Sequence, residues 1–141
     1  MDDLDGHLIA RLRDDARAPV AELARALGLS RTTVQSRLAR LERTGVIAGY
    51  AVRLSQTLEA ALIHAFVHLT VEPKQSQAVT AALKRLTGVR RLQSVSGPAD
   101  MVATVEAPSV AEMDALLDEI GQLKGVERTN SSIVLATKFD R

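Results

Sequence analysis

Residues 19–45 read PVAELARALGLSRTTVQSRLARLERTG. Val20, Leu23, Ala24 and Leu27 recur at i, i+3, i+4 and i+7, which predicts a helix from Pro19 to Leu27. Proline suits its first turn, because the N–H it lacks would have no helical partner there. Gly28 then occupies the C′ position, where left-handed backbone is needed. Two residues later, Ser30 can cap a new helix that runs to about Thr44 and stops at Gly45. Upstream, Leu4, Leu8, Ile9 and Leu12 predict another helix from about Leu4 to Asp14. Two helices around a short glycine turn, preceded by a third, form a helix-turn-helix pattern. Val46–Arg53 reads as a short hairpin with Gly49 and Tyr50 near its bend, a wing.

The helix after Ser30 carries the chemistry. At 100° per residue, Val34, Leu38 and Leu41 fall on one narrow stripe. The opposite face holds Thr32, Ser36, Arg40 and Arg43, with Thr33 and Gln35 beside them, while Arg31 and Arg37 flank the stripe. Small hydroxylic side chains let a helix approach a major groove closely. Gln and Arg reach base edges, and flanking Arg reach phosphates. This helix is therefore expected to bind double-stranded DNA through Ser30, Arg31, Thr32, Thr33, Gln35, Ser36, Arg37, Arg40 and Arg43, with Arg53 added from the wing. Arg37 and Arg40 are the foremost candidates.

The overall charge taken alone argues against this. The 141 residues carry a formal net charge of only +1, and nucleic-acid binders are usually basic. The charge is segregated, however. Residues 25–53 hold six Arg and one acid, whereas residues 1–24 hold three Arg and six acids. All the bases of the positive stretch are Arg, whose planar fork suits phosphate and guanine. With no cysteine, disulfides and thiolate chemistry are excluded, which fits a reducing cytoplasm. No apolar run of membrane-spanning length occurs, and the acidic N-terminus does not resemble a signal peptide.

Residues 54–61 read as a linker that could be partly helical. From Leu62 to Val71 the chain alternates. Ile63, Ala65, Val67, Leu69 and Val71 share one face, and His64, Phe66, His68 and Thr70 the other. A helix follows from about Gln75 to Leu86. Two strands, Val89–Ser96 and Met101–Ala107, flank the turn Gly97-Pro98-Ala99-Asp100. Ser109-Val110-Ala111-Glu112 has the spacing of a capping box and opens a helix to about Gln122, and Val126–Ala136 is the last strand. The order β-α-β-β-α-β is the ferredoxin-like pattern. The fold class is therefore α+β, with a winged helix-turn-helix unit (1–53), a linker (54–61) and a ferredoxin-like unit (62–141). A ferredoxin-like sheet carries helices on one face only. Its other face, bearing His64, Phe66 and His68, invites a second copy, which predicts a symmetric homodimer.

With these elements in place, the sequence resembles the Lrp/AsnC, or feast/famine, family over nearly its whole length. The matching stretches include Asp14-Asp15-Ala16-Arg17, Glu22-Leu23-Ala24, Leu27-Gly28-Leu29-Ser30, Val34, Arg37-Leu38, Arg40-Leu41-Glu42, Gly45-Val46-Ile47 and Gly49-Tyr50. In the second unit they are Gly97 with Asp100, and Gly125-Val126 followed by Thr129-Asn130-Ser131. The resemblance implies a transcriptional regulator that dimerises through its second domain and assembles to tetramers or octamers. It also implies an amino-acid effector held by a Gly-x-x-Asp loop, here Gly97, Pro98, Ala99 and Asp100, together with Thr129 and Ser131. An amino acid needs N–H or hydroxyl donors for its carboxylate and an acceptor for its ammonium, and these residues supply both kinds. Two departures are visible. Ala99 stands where family members commonly have an aromatic, and Pro19 where they often have a capping Ser.

No cofactor is expected and no enzyme motif is present. His64 and His68 lie four residues apart on one strand, about 13 Å at ~3.3 Å per residue, too far for one metal ion. His7 has no visible partner, and Met101 and Met113 read as core. Two other functions remain open: a DNA-organising protein without an effector, and a decarboxylase acting on sirohaem, whose enzymes share both domains.

Overall fold

The computed structural model describes residues 1–139, which divide into two compact units, Met1–Arg53 and a second that begins at Leu54.

The first unit holds α1 (Asp3–Asp14), α2 (Val20–Leu27) and α3 (Arg31–Arg43). Each start is fixed locally. Asp2 caps α1 and forms a reciprocal capping box with Asp5. Pro19 falls one position before α2 rather than inside it and makes no side-chain cap. Ser30 Oγ accepts the Thr33 N–H at 3.1 Å at the head of α3. Gly28 ends α2 at φ +66°, a conformation that costs glycine little. Leu8, Leu23, Ala24, Val34 and Leu41 are the buried apolar core. The expected wing hairpin does not form. Residues 46–53 contain no strand. Instead the chain turns back on α3, with Ile47 N–H donating to the Leu41 carbonyl at 3.0 Å and the Tyr50 hydroxyl donating to Glu42 at 2.7 Å. These bonds hold the segment against its own helix, which leaves Val46–Arg53 without a strand partner.

The second unit opens with a single helical turn, α4 (Gln56–Glu59), within the expected linker. Then come β1 (Ile63–Val71), α5 (Ser76–Arg85), β2 (Val89–Ser94), β3 (Met101–Ala107), α6 (Val110–Gly121) and β4 (Val126–Ile133). The sheet is antiparallel in the order β2-β3-β1-β4, the ferredoxin-like arrangement. Alternate residues of β1 and β3 are buried against Val79 and Leu83 of α5 and Met113 and Ile120 of α6. β2 and β4 end two and three residues short of expectation, at Ser94 and Ile133. At Ser109 only half of the capping box forms. The hydroxyl accepts the Glu112 N–H, but the Glu112 carboxylate takes the hydroxyl proton rather than a backbone one. Among the described residues, no helix is long and apolar enough to cross a membrane.

Candidate nucleic-acid interface and ligand loop

α3 exposes Arg31, Thr32, Gln35, Ser36 and Arg43, while Val34 and Leu41 pack inward. Thr33 is half-buried, its hydroxyl 2.8 Å from that of Ser30. Among the described residues, neither Arg31, Arg43 nor Arg53 has a hydrogen-bond or ion-pair partner. Their guanidinium groups face solvent.

Arg37 and Arg40 stand differently from the sequence expectation. Neither projects freely from the outer face. Arg37 Nη1 donates to Asp2 at 2.8 and 2.9 Å and to Asp5 at 2.8 Å. Arg40 Nη2 donates to both Asp5 oxygens, at 2.7 and 2.6 Å. Asp5 is fully buried, and a buried carboxylate is stable only when paired. The Asp2 N–H, which donates to the Asp5 carboxylate, and the two guanidinium groups hold Asp5 far below the usual carboxylate range, against the upward push of burial. Arg37 likewise lowers Asp2, and both acids raise Arg37. Beside this network lies an open hollow of about 470 Å³, lined by Asp2, Thr32, Thr33, Ser36, Arg37 and Arg40.

Asp2 and Asp5 complete the site from outside the helix-turn-helix stretch. Their three-residue spacing on either side of Leu4, where the Leu4–Leu8 stripe begins, is the available signal, since it fits a capping box.

In the second unit, the loop after β2 is tied down by Asp100. Its Oδ2 accepts the Val71 N–H at 2.8 Å, its own N–H donates to the Leu69 carbonyl at 2.9 Å, and its carbonyl accepts from Val95. Gly97 has φ +121° and open space around it. Pro98 is exposed and Ala99 half-buried. In register, Leu69 lies between Met101 and Thr129, so loop and Thr129 share one end of the sheet on strands that flank β1. Thr129 and Ser131 pair with Leu69 and Val67, which puts them on the helix-covered face. The Thr129 hydroxyl lies 3.8 Å from where a Cβ on Gly121 of α6 would be.

The opposite face carries His64, Phe66 and His68, paired with Glu106, Thr104 and Val102 on β3. His64 lies 4.0 Å from Glu106, which also meets Arg90 at 3.3 Å. Phe66 is 44% exposed. Among the described residues, no cluster of three or more potential ligands could hold a metal ion.

A helix-turn-helix unit with free arginines on its second helix, followed by a ferredoxin-like unit, is the architecture of a DNA-binding transcriptional regulator. The AsnC-type helix-turn-helix domain matches residues 1–42, and the Lrp/AsnC ligand binding domain matches residues 64–141. The chain belongs to the Lrp/AsnC family of transcriptional regulators. It is 38% identical to the HTH-type transcriptional regulator LrpA of Mycobacterium tuberculosis, over 99% of this chain and 93% of that one. The crystal structure of the M. tuberculosis leucine response regulatory protein superposes with TM-score 0.83 at 36% identity, covering 99% and 96% of the two chains. A Neisseria meningitidis transcriptional regulator solved in complex with L-Met shares the fold at TM-score 0.91 and 22% identity, with 99% and 93% coverage.

Proposed function

We propose that α3 is the recognition helix and enters the major groove of duplex DNA. Thr32, Gln35 and Ser36 meet base edges, and Arg31 and Arg43 meet phosphates or guanine. Ser30 and Thr33 hold the helix start, and Arg53 adds a backbone contact. The observation that carries this is the solvent-facing, unpaired state of Arg31 and Arg43 beside exposed Gln35 on a helix otherwise anchored by Val34 and Leu41. The test is affinity for a duplex recovered by selection from a random pool. Replacing Arg31 and Gln35 together by Ala should weaken binding at least tenfold, because one good base contact is worth about 1–3 kcal/mol. It should also flatten the salt dependence by about one unit of slope. Unchanged affinity would sink the assignment.

The same reading takes a free amino acid as effector of the second unit. Gly97, Pro98, Ala99 and Asp100 form the loop, and Thr129 and Ser131 supply hydroxyls. Asp100 Oδ1 has no bonding partner among the described residues and is available to an ammonium group, while Oδ2 braces the loop. The chain works in the cytoplasm as a homodimer through the face of His64, Phe66 and His68, and dimers assemble to tetramers or octamers. The L-Met complex of the Neisseria regulator supports an amino acid as the ligand class. Thermal melting against a panel of free amino acids tests this, since a ligand of the native state must raise the melting temperature. No shift with any amino acid, and no effect on DNA binding, would make the protein an effector-independent DNA organiser.

A further inference from the structure

The two strongest arginine candidates of α3 are neutralised within the protein. Asp2, Asp5, Arg37 and Arg40 carry two charges of each sign, so this corner of the helix offers no net attraction to phosphate in the free protein. Yet each guanidinium spends a single nitrogen, Nη1 of Arg37 and Nη2 of Arg40, and its other donors have no partner among the described residues.

The two acids are unlike. Asp5 is fully buried, so it cannot give up its arginines without stranding a charge away from water. Asp2 has a side chain 54% exposed and sits on the lip of the 470 Å³ hollow; Arg37 is its one ion-pair partner among the described residues, and its Oδ1 also accepts the Asp5 N–H as the cap of α1. Giving up Arg37 while Oδ1 keeps the cap costs it only an exposed ion pair. The hollow otherwise presents three hydroxyls, from Thr32, Thr33 and Ser36, and two guanidinium groups. Hydroxyls and guanidiniums are the donors that phosphate oxygens accept from, and Asp2 is the one acid of the lining.

We propose that Asp2 is an electrostatic latch on Arg37: a backbone phosphate of duplex DNA enters the hollow and displaces the Asp2 carboxylate, while Asp5 keeps both guanidinium groups aimed. The latch opens for any DNA sequence. It therefore lowers affinity for all duplexes by a common factor and leaves base discrimination to Gln35 and its neighbours. This rests on α3 being the DNA-facing helix.

The experiment uses the full chain with Asp2→Asn, read by fluorescence anisotropy over a range of salt. Two duplexes serve as probes, one recovered by selection and one of random sequence. Asn caps a helix as well as Asp does, so α1 keeps its start, and Asp2→Ser gives a second capping variant without the charge. Both should bind both duplexes roughly twofold to fivefold more tightly, the range of an exposed ion pair. The salt dependence should steepen by up to about one unit of slope. In an Arg37→Ala background the Asp2 substitutions should have no effect. Asp14→Asn makes the same charge change at the other end of α1 and should alter affinity far less. Unchanged or weaker binding by the Asp2 variants, while Arg31→Ala still weakens it, overturns the latch and leaves α3 as the reading helix. An equal gain from Asp14→Asn also overturns the latch, because the effect would then be general charge. Indifference to Arg31→Ala as well would overturn both readings.

Discussion

The two units of this chain are held together by different physics. The first buries five apolar side chains and one carboxylate. The second buries twelve apolar side chains and, among its described residues, no charge. A unit of about fifty residues buries too little surface to be robust on its apolar core alone. Here α1 and α3 are also joined by charge, through Asp5 to Arg37 and Arg40. The helical unit thus spends part of its basic face on its own integrity. The sheet unit is held by alternation and leaves its polar groups at the rim and on the open face. Arg37 and Arg40 of α3 fasten the fold in the first unit, and no such charge pairing to a buried acid occurs among the described residues of the second.

That contrast can be broken most directly in the cores. Leu8→Ala and Leu83→Ala each remove a wholly buried leucine, at a cost of about 2–5 kcal/mol. The Leu8 variant should lose its helical unit near room temperature. The Leu83 variant should keep its sheet, with a lowered melting temperature. Backbone hydrogen exchange resolved by residue reads both. Equal tolerance at the two sites would mean that the small core is not the weaker one.

The next effect is a difference in acid response. Asp5 has a folded value below its unfolded one, so it stabilises the helical unit above the unfolded value of about 3.9. That contribution is lost as pH falls from there toward the folded value. Acid titration should therefore loosen α1 from α3 before the sheet responds. Asp5→Asn should be less stable at pH 7 and should show a flatter decline between about pH 4 and pH 2. A sheet that fails first in acid would contradict this.

Smallest is Tyr50→Phe. It removes the bond to Glu42 that raises the tyrosine above its ordinary value and holds the segment after α3. The expected loss is about 0.5–1 kcal/mol, because the bond is solvent-exposed. Thermal melting should register it without change in the second unit.

Much of this was legible in the sequence. The apolar stripes of α1, α2 and α3, the Gly28 turn and the Ser30 cap are local features, and local propensity settles them. The alternation from Ile63 to Val71 gave β1 its buried and open faces for the same reason. The interface was legible only in outline. A helical wheel assigns Arg37 and Arg40 an angle, but it does not say what stands opposite. Asp2 and Asp5 lie 32–35 residues away, a separation at which sequence gives no register. The loop aspartate is a similar case, since its acceptor role at Val71 spans 29 residues. The wing failed because turn residues and β-branched neighbours favour a hairpin, whereas Ile47 and Tyr50 found partners on α3.

By itself the sequence determined the element order, the faces of the helices and strands, and the concentration of arginine on one short segment. These follow from periodicity and caps, which act within a turn or a strand. The tertiary structure alone decided which arginines are free. Burial of Asp5 demanded counter-charges, and the nearest cations were those of α3. Arg31 and Arg43 therefore face solvent, while Arg37 and Arg40 are claimed by the protein itself.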